Sequence, residues 1–197
     1  MSLKSALNER IAPRNLLQHP FYQAWEAGEL PLEALQAYAR EYGAFIAQMP
    51  LGWETLNDAE TAEEEREHAA LWSDFAAGLD TAVGSAQMPA VAKLVSQSQD
   101  WFRQPEQALG ALYAFEVQQP ATAKSKLEGL KTHYDLPASV EPYFEEHSHN
   151  EHEAEKLLAR MQGLSAEQQA NALDAAEGMS QALWDALSDI YETHCEM

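Results

Sequence analysis

Apolar positions recur at three- and four-residue steps along almost the whole chain, and alternating β-branched runs are nearly absent, which predicts helices and no strands. A short helix is expected from His19 to Gly28, ended by the glycine. Pro31 sits at the first turn of a longer helix carrying Leu32, Leu35, Tyr38, Tyr42, Phe45 and Ile46, which Pro50 should end or kink. Asn57 and Asp58 offer a cap for a very acidic helix running through Glu63, Glu64, Glu65 and His68 into Leu71, Trp72, Phe75 and Leu79. Its early carboxylates suit the positive end of the helix dipole. A looser connection over 80–89 leads to a short helix through Val91, Leu94 and Val95.

From Pro105 a long helix is expected through Leu109, Leu112, Tyr113, Glu116 and Lys126 to about Tyr134, kinked at Pro120 where the backbone loses a donor. Another follows Pro142 through Tyr143, Phe144, His147, Glu151, Leu157, Leu158 and Met161. The last repeats Leu173, Glu177, Ser180, Trp184, Leu187 and Tyr191, a stripe read as core packing. The sum is an all-α, compact bundle of about seven helices. Neither linker composition nor an internal repeat divides it, so residues 1–197 read as one domain.

Composition narrows the choice of partners. The net charge of −20, from 32 acidic and 12 basic residues, repels polyanions, so nucleic acid and anionic membrane are not expected to bind. Cys195, the one cysteine, excludes an internal disulfide or a thiolate pair for zinc, and fits a reducing cytoplasm. No stretch approaches the roughly 18 apolar residues of a membrane span, and the start carries no apolar leader. A homodimer is compatible with all of this.

Three segments carry residues out of keeping with their surroundings. Glu65 and His68, in an E-x-x-H spacing, share one helical face. His68 also falls on the face of Leu71, Trp72 and Phe75, so it should point inward; Glu64 competes as its partner, and a satisfied core histidine is the plain alternative. Glu116 sits in an otherwise apolar helix and needs a metal or a counter-charge, for which Lys126, about three turns on, is the structural candidate. The third segment holds His147, His149 and His152. Extending the stripe of Leu157, Leu158 and Met161 backward places Ala154, Glu151, Asn150 and His147 inside, with His149 and His152 toward solvent. The opposite register would group Glu145, His149 and His152. Oxygen and nitrogen donors without thiolate suit iron, or manganese, better than structural zinc.

With these residues in view, the chain resembles the CADD-like proteins of the heme-oxygenase-like fold, related to TenA and PqqC. The resemblance spans most of the sequence. It rests on His19-Pro20-Phe21-Tyr22 with Trp25, Gly28 and Tyr38; on His68 with Leu71-Trp72 and Phe75; on Ala111 to Glu116 with Gln119-Pro120 and Lys126; and on Tyr143-Phe144 with His147. It implies a metal site for one or two ions, with His68, Glu116 and His147 as matching ligands. Glu151 stands where the family has an aspartate. Two positions depart: Ala154 replaces the last histidine of the H-x3-D-x2-H set, and Thr61 lies where the first glutamate would, leaving Glu65 or Glu64 to substitute. His149 or His152 are the residues that could repair the gap.

The resemblance further implies an iron-dependent oxidase using molecular oxygen. In that group p-aminobenzoate is formed for folate biosynthesis from the protein's own tyrosine, with a lysine as amino donor. Tyr22 and Lys126 stand at the matching positions; Tyr38 is retained, and Phe115 replaces a further tyrosine. Three other functions compete. TenA-like hydrolysis needs an internal cysteine nucleophile, which Cys195 is badly placed to supply. A PqqC-like oxidase would hold an anionic small-molecule substrate, against the charge balance. A non-enzymatic binding module of the same fold would explain Ala154.

Overall fold

The computed structural model describes residues 2–150 and 152–195, and among these every regular element is helical. The chain opens with α1 (Leu3–Ile11), which the hydrophobic pattern does not announce because only its Leu7 and Ile11 are buried. α2 (Pro20–Ala27) is fixed at both ends by local chemistry. The His19 ring accepts the Phe21 N–H at 3.0 Å, Pro20 takes the first turn, and Gly28 closes the helix in the left-handed conformation at φ 71°.

Pro50 marks a beginning, contrary to expectation. α3 (Leu32–Ile46) stops before it, and Pro50 enters the first turn of α4 (Met49–Thr55), where a missing N–H costs nothing. α5 (Ala59–Gly78) begins as expected at Asp58, whose carboxylate accepts the Thr61 N–H at 3.3 Å. After α6 (Pro89–Trp101), the long helix expected from Pro105 is broken, not kinked. α7 (Pro105–Glu116) ends before the turn at Val117 and Gln118, and α8 (Gln119–His133) starts with Pro120 in its first turn.

The helix after Pro142 is likewise two pieces, α9 (Pro142–His147) and α10 (His152–Gln162), before the long α11 (Ala166–Cys195). The Ser148 hydroxyl donates to the Glu145 carbonyl at 2.8 Å, and the Asn150 N–H reaches back only to His147. Such side-chain competition for backbone groups ends helices. All of the expected helices are present, two of them as broken pairs.

α7 is the axis of the bundle, buried without interruption from Ala108 to Glu116. α4, α10 and α11 lie against it. The stripe expected for α11 is rotated: Leu173, Trp184 and Tyr191 are half-buried and Glu177 is exposed, while Ala172, Ala175, Ala176, Met179, Leu183, Ala186 and Leu187 face the core. Close approach explains the shift, because small residues let two backbones meet. A β-carbon on Gly110 would overlap the Ala172 carbonyl.

Gly110→Ala must therefore push α7 off α11, and backbone cannot yield as a side-chain tip can. A loss of about 3 kcal/mol is expected, roughly 6–12 °C in melting temperature for a chain of this size. Thermal unfolding followed by circular dichroism checks it. No described helix is long and apolar enough to cross a membrane.

Candidate metal centre

Five side chains from four helices converge beneath α7. α5 supplies Glu65 and His68, and its inward face continues through Trp72 and Phe75. Glu116 is the last residue of α7 and His147 the last of α9. Glu153, in the first turn of α10, is the residue the sequence reading missed. It is 1% exposed. A signal existed, since Glu153 stands four residues before Leu157 and eight before Met161, both buried. It is hidden as long as the helix is taken to run on from His147, and appears once α10 starts afresh.

One donor atom each from Glu65, His68 and His147 lies within 4.8 Å of the others, and the same holds for Glu65, Glu116 and Glu153. Glu65 belongs to both sets. Glu64, its competitor, is only half-buried. His149 and His152 are exposed, as the favoured register expects, and leave the gap at Ala154 unfilled. Glu151 lies outside the described residues. Thr61 is buried and receives the Lys156 ammonium at 2.7 Å, which also binds Asp58 at 2.9 Å. That clamp ties α10 to the start of α5 and holds Glu153 inward.

Electrostatics says what the cluster lacks. Burial, and then the charges of Glu153 and Glu65, push the Glu116 carboxyl well above the usual carboxylate range. Burial likewise raises Glu65, partly offset by the His68 ring 3.3 Å away. For His68, burial opposes the charged form, but Glu65, Glu153 and Glu146 outweigh it and raise the imidazole. Burial and the neighbouring His68 lower His147 to about 3, so its ring is neutral. Its Nδ1–H donates to the Tyr143 carbonyl at 2.8 Å, leaving the Nε2 lone pair for a ligand.

Both oxygens of Glu153 and one of Glu116 are buried and receive no hydrogen bond from any N–H or hydroxyl group among the described residues; their one neighbour in hydrogen-bond reach is each other, a contact that requires Glu116 to keep its proton. Lys126, the counter-charge considered for Glu116, points elsewhere. Unpaired buried carboxylates cost several kcal/mol apiece, and a cation among oxygen and nitrogen donors removes that cost. The residues present fit iron. A cavity of about 520 Å³, walled by Tyr113, Pro120, Ala154 and Leu158, reaches Glu116 from the side of α1.

A second buried cluster lies across the aromatic core. The Tyr22 and Tyr38 hydroxyls are 3.0 Å apart, and the Lys126 amine donates to them at 3.4 and 3.2 Å. The amine also sits 4.8 Å from the centre of the Tyr22 ring and 5.1 Å from that of Phe144. Burial raises both phenols and lowers Lys126 to about 7. Tyr143 stands between the clusters, its hydroxyl feeling Glu65 and Glu116 as well as Tyr22, and accepting from Gln119 at 3.2 Å.

Because the folded-state value of Lys126 lies below its ordinary 10.5, the unfolded chain holds the proton more tightly. Burial of this lysine therefore destabilises the fold fully below about pH 7, and the cost fades as pH rises toward 10.5. Lys126→Met is expected to stabilise the protein most at pH 6, with the advantage shrinking by about 1 kcal/mol per pH unit across that window. Urea unfolding of both proteins from pH 6 to 10 measures it.

Residues 41–185 match the family described as iron-containing redox enzyme. The chain belongs to that family. It is 31% identical to the 4-aminobenzoate synthase of Nitrosomonas europaea, over 98% of this chain and 93% of the relative, and 29% identical to that of Chlamydia muridarum, over 99% and 94%. Its fold superimposes on a TenA homologue from Pseudomonas syringae with a TM-score of 0.79 at 14% identity, covering 97% and 93% of the two chains. A CADD-like protein of unknown function from Nostoc punctiforme gives 0.72 at 19% identity, covering 98% and 96%. The heme-oxygenase-like architecture and the CADD-like resemblance are both borne out.

Proposed function

We propose that this chain is a non-heme iron oxidase that forms 4-aminobenzoate from its own Tyr22, with Lys126 as amino donor and molecular oxygen as oxidant. The observation that carries the reading is the Lys126 amine, fully buried without a carboxylate partner and held between two phenols. A structural lysine would be paired; this one is kept partly neutral at neutral pH and directed at the ring it would aminate.

Glu65, His68, His147, Glu116 and Glu153 would hold the iron, and the two donor sets sharing Glu65 leave room for a second ion; Glu151 is a further candidate. Bound iron supplies the redox chemistry that oxygen requires. The chain's own groups do the rest. Tyr38 fixes the Tyr22 hydroxyl and accepts a hydrogen bond from the Lys126 amine, the packed aromatic walls exclude water, and the cavity beside Ala154 admits oxygen and any small-molecule reductant or substrate. Manganese fits the same donors, and metal analysis distinguishes the two. A soluble cytoplasmic setting, with a homodimer allowed, completes the proposal.

The test is direct. Protein loaded anaerobically with ferrous iron and then exposed to oxygen and a reductant should consume oxygen and release 4-aminobenzoate, detected by mass spectrometry. Iron-loaded protein that consumes no oxygen and yields no 4-aminobenzoate overturns the proposal.

A further inference from the structure

The core cluster is sealed by packing on most sides, so an ion must reach it by some path. Between α5 and the α9–α10 turn lies another cavity, of about 480 Å³, which has none of α1 in its lining. His68 and Glu153 form its inner end. Glu64, Glu67 and Glu146 stand in its walls with His152.

Some acids on these helices are paired: Glu63 and Glu54 with Arg66, and Glu141 and Glu145 with Lys131. Others outside the cavity, Glu60 and Asp74 of α5, have no ion pair among the described residues. Facing it, Glu64, Glu67 and Glu146 have no basic partner among the described residues. Acidic groups alone would be an ordinary solvated surface. Here a second observation bears on them. Asn150, a residue 8% exposed, lines the same cavity, and its side-chain oxygen is buried with no hydrogen-bond partner among the described residues. A buried amide oxygen without a partner beside an acidic hollow is a candidate ligand for a hard cation.

We infer that this cavity is a cation vestibule: Glu64, Glu67 and Glu146 collect a divalent ion at its mouth, and Asn150 relays it to Glu153 and His68. The inference rests on the proposed iron site and adds its route of filling. Carboxylates in a low-dielectric cleft raise the local cation concentration and the rate of association, and the effect falls with salt. They set how fast the site fills, not how tightly it holds.

The experiment uses the full-length metal-free protein mixed anaerobically with ferrous ion, unbound iron being trapped by a chelator at increasing times. The Glu64→Gln, Glu67→Gln, Glu146→Gln triple variant is compared with wild type and with Glu26→Gln, Glu29→Gln, Glu33→Gln, which removes the same charge from an exposed region at α2 and α3. The vestibule variant should fill at least about five-fold more slowly at low salt and converge on wild type at high salt, with final iron content unchanged. The remote variant should stay within about two-fold of wild type. Equal slowing in both variants overturns the inference, because overall charge would then suffice. So does a vestibule variant that ends with less iron, since its carboxylates would be resident ligands. Wild-type protein that takes up no iron overturns the proposed function along with it.

Discussion

Tyr22→Phe is expected to abolish 4-aminobenzoate formation, by at least about a hundred-fold, while iron content and fold survive. The substitution removes one oxygen atom. It costs the buried hydrogen bond to Tyr38 and one of the two phenol contacts of Lys126, about 1 kcal/mol of stability. Tyr38→Phe removes the same Tyr22–Tyr38 hydrogen bond and the other lysine contact. If Tyr22 only positions its neighbours, the two variants should behave alike. If it is the source of the ring, Tyr38→Phe keeps measurable product and Tyr22→Phe does not. Intact-mass analysis adds an independent readout: wild-type protein should lose the mass of a tyrosine side chain at position 22 after reaction with oxygen, and Tyr22→Phe should lose nothing. Product from Tyr22→Phe at the wild-type level would exclude self-sacrifice at this position.

Glu153→Gln should move metal binding and stability in opposite directions. The glutamine is nearly isosteric, so packing against Leu157 and Met161 is kept, but one charge leaves a cluster of three buried carboxylates. Iron affinity is expected to fall at least ten-fold, about 1.4 kcal/mol. The metal-free protein should gain about 1 kcal/mol, roughly 2–4 °C in melting temperature, because carboxylate repulsion is relieved and the new amide N–H can donate to Glu116. A merely structural glutamate would show the reverse, a loss of stability with iron unchanged. Metal analysis and calorimetry on the same preparations decide between them.

The difference between Glu153 and the other four donors shows how far the sequence reads on its own. His68 and Glu116 are legible because each interrupts an apolar stripe on a helix whose phase is set by many neighbours. Glu65 follows from His68 by helical spacing. His147 follows from running the stripe of Leu157, Leu158 and Met161 backward, a phase that reaches the right residue although the helix is broken between α9 and α10. Glu153 depends on a helix break at Ser148–Asn150, a local contest between side-chain and backbone hydrogen bonds that periodicity does not report. The same limit explains α11. Its largest residues form the visible stripe, but close packing of two backbones at Gly110 and Ala172 selects the small ones. The meeting of Tyr22 with Lys126, 104 positions apart, came through family resemblance, since no local pattern joins them.

Two features of α7 described separately share one rod. Gly110 seats it against α11, and Glu116 ends it at the candidate metal centre six residues later, about 9 Å along the axis. A helix buried on every side transmits displacement with little give. Any substitution that lifts α7 at Gly110 should therefore also carry Glu116 away from Glu65 and Glu153. Variants selected only for poor folding at that contact would then be found short of iron as well, and a loss of metal could be inherited from a residue that never touches it.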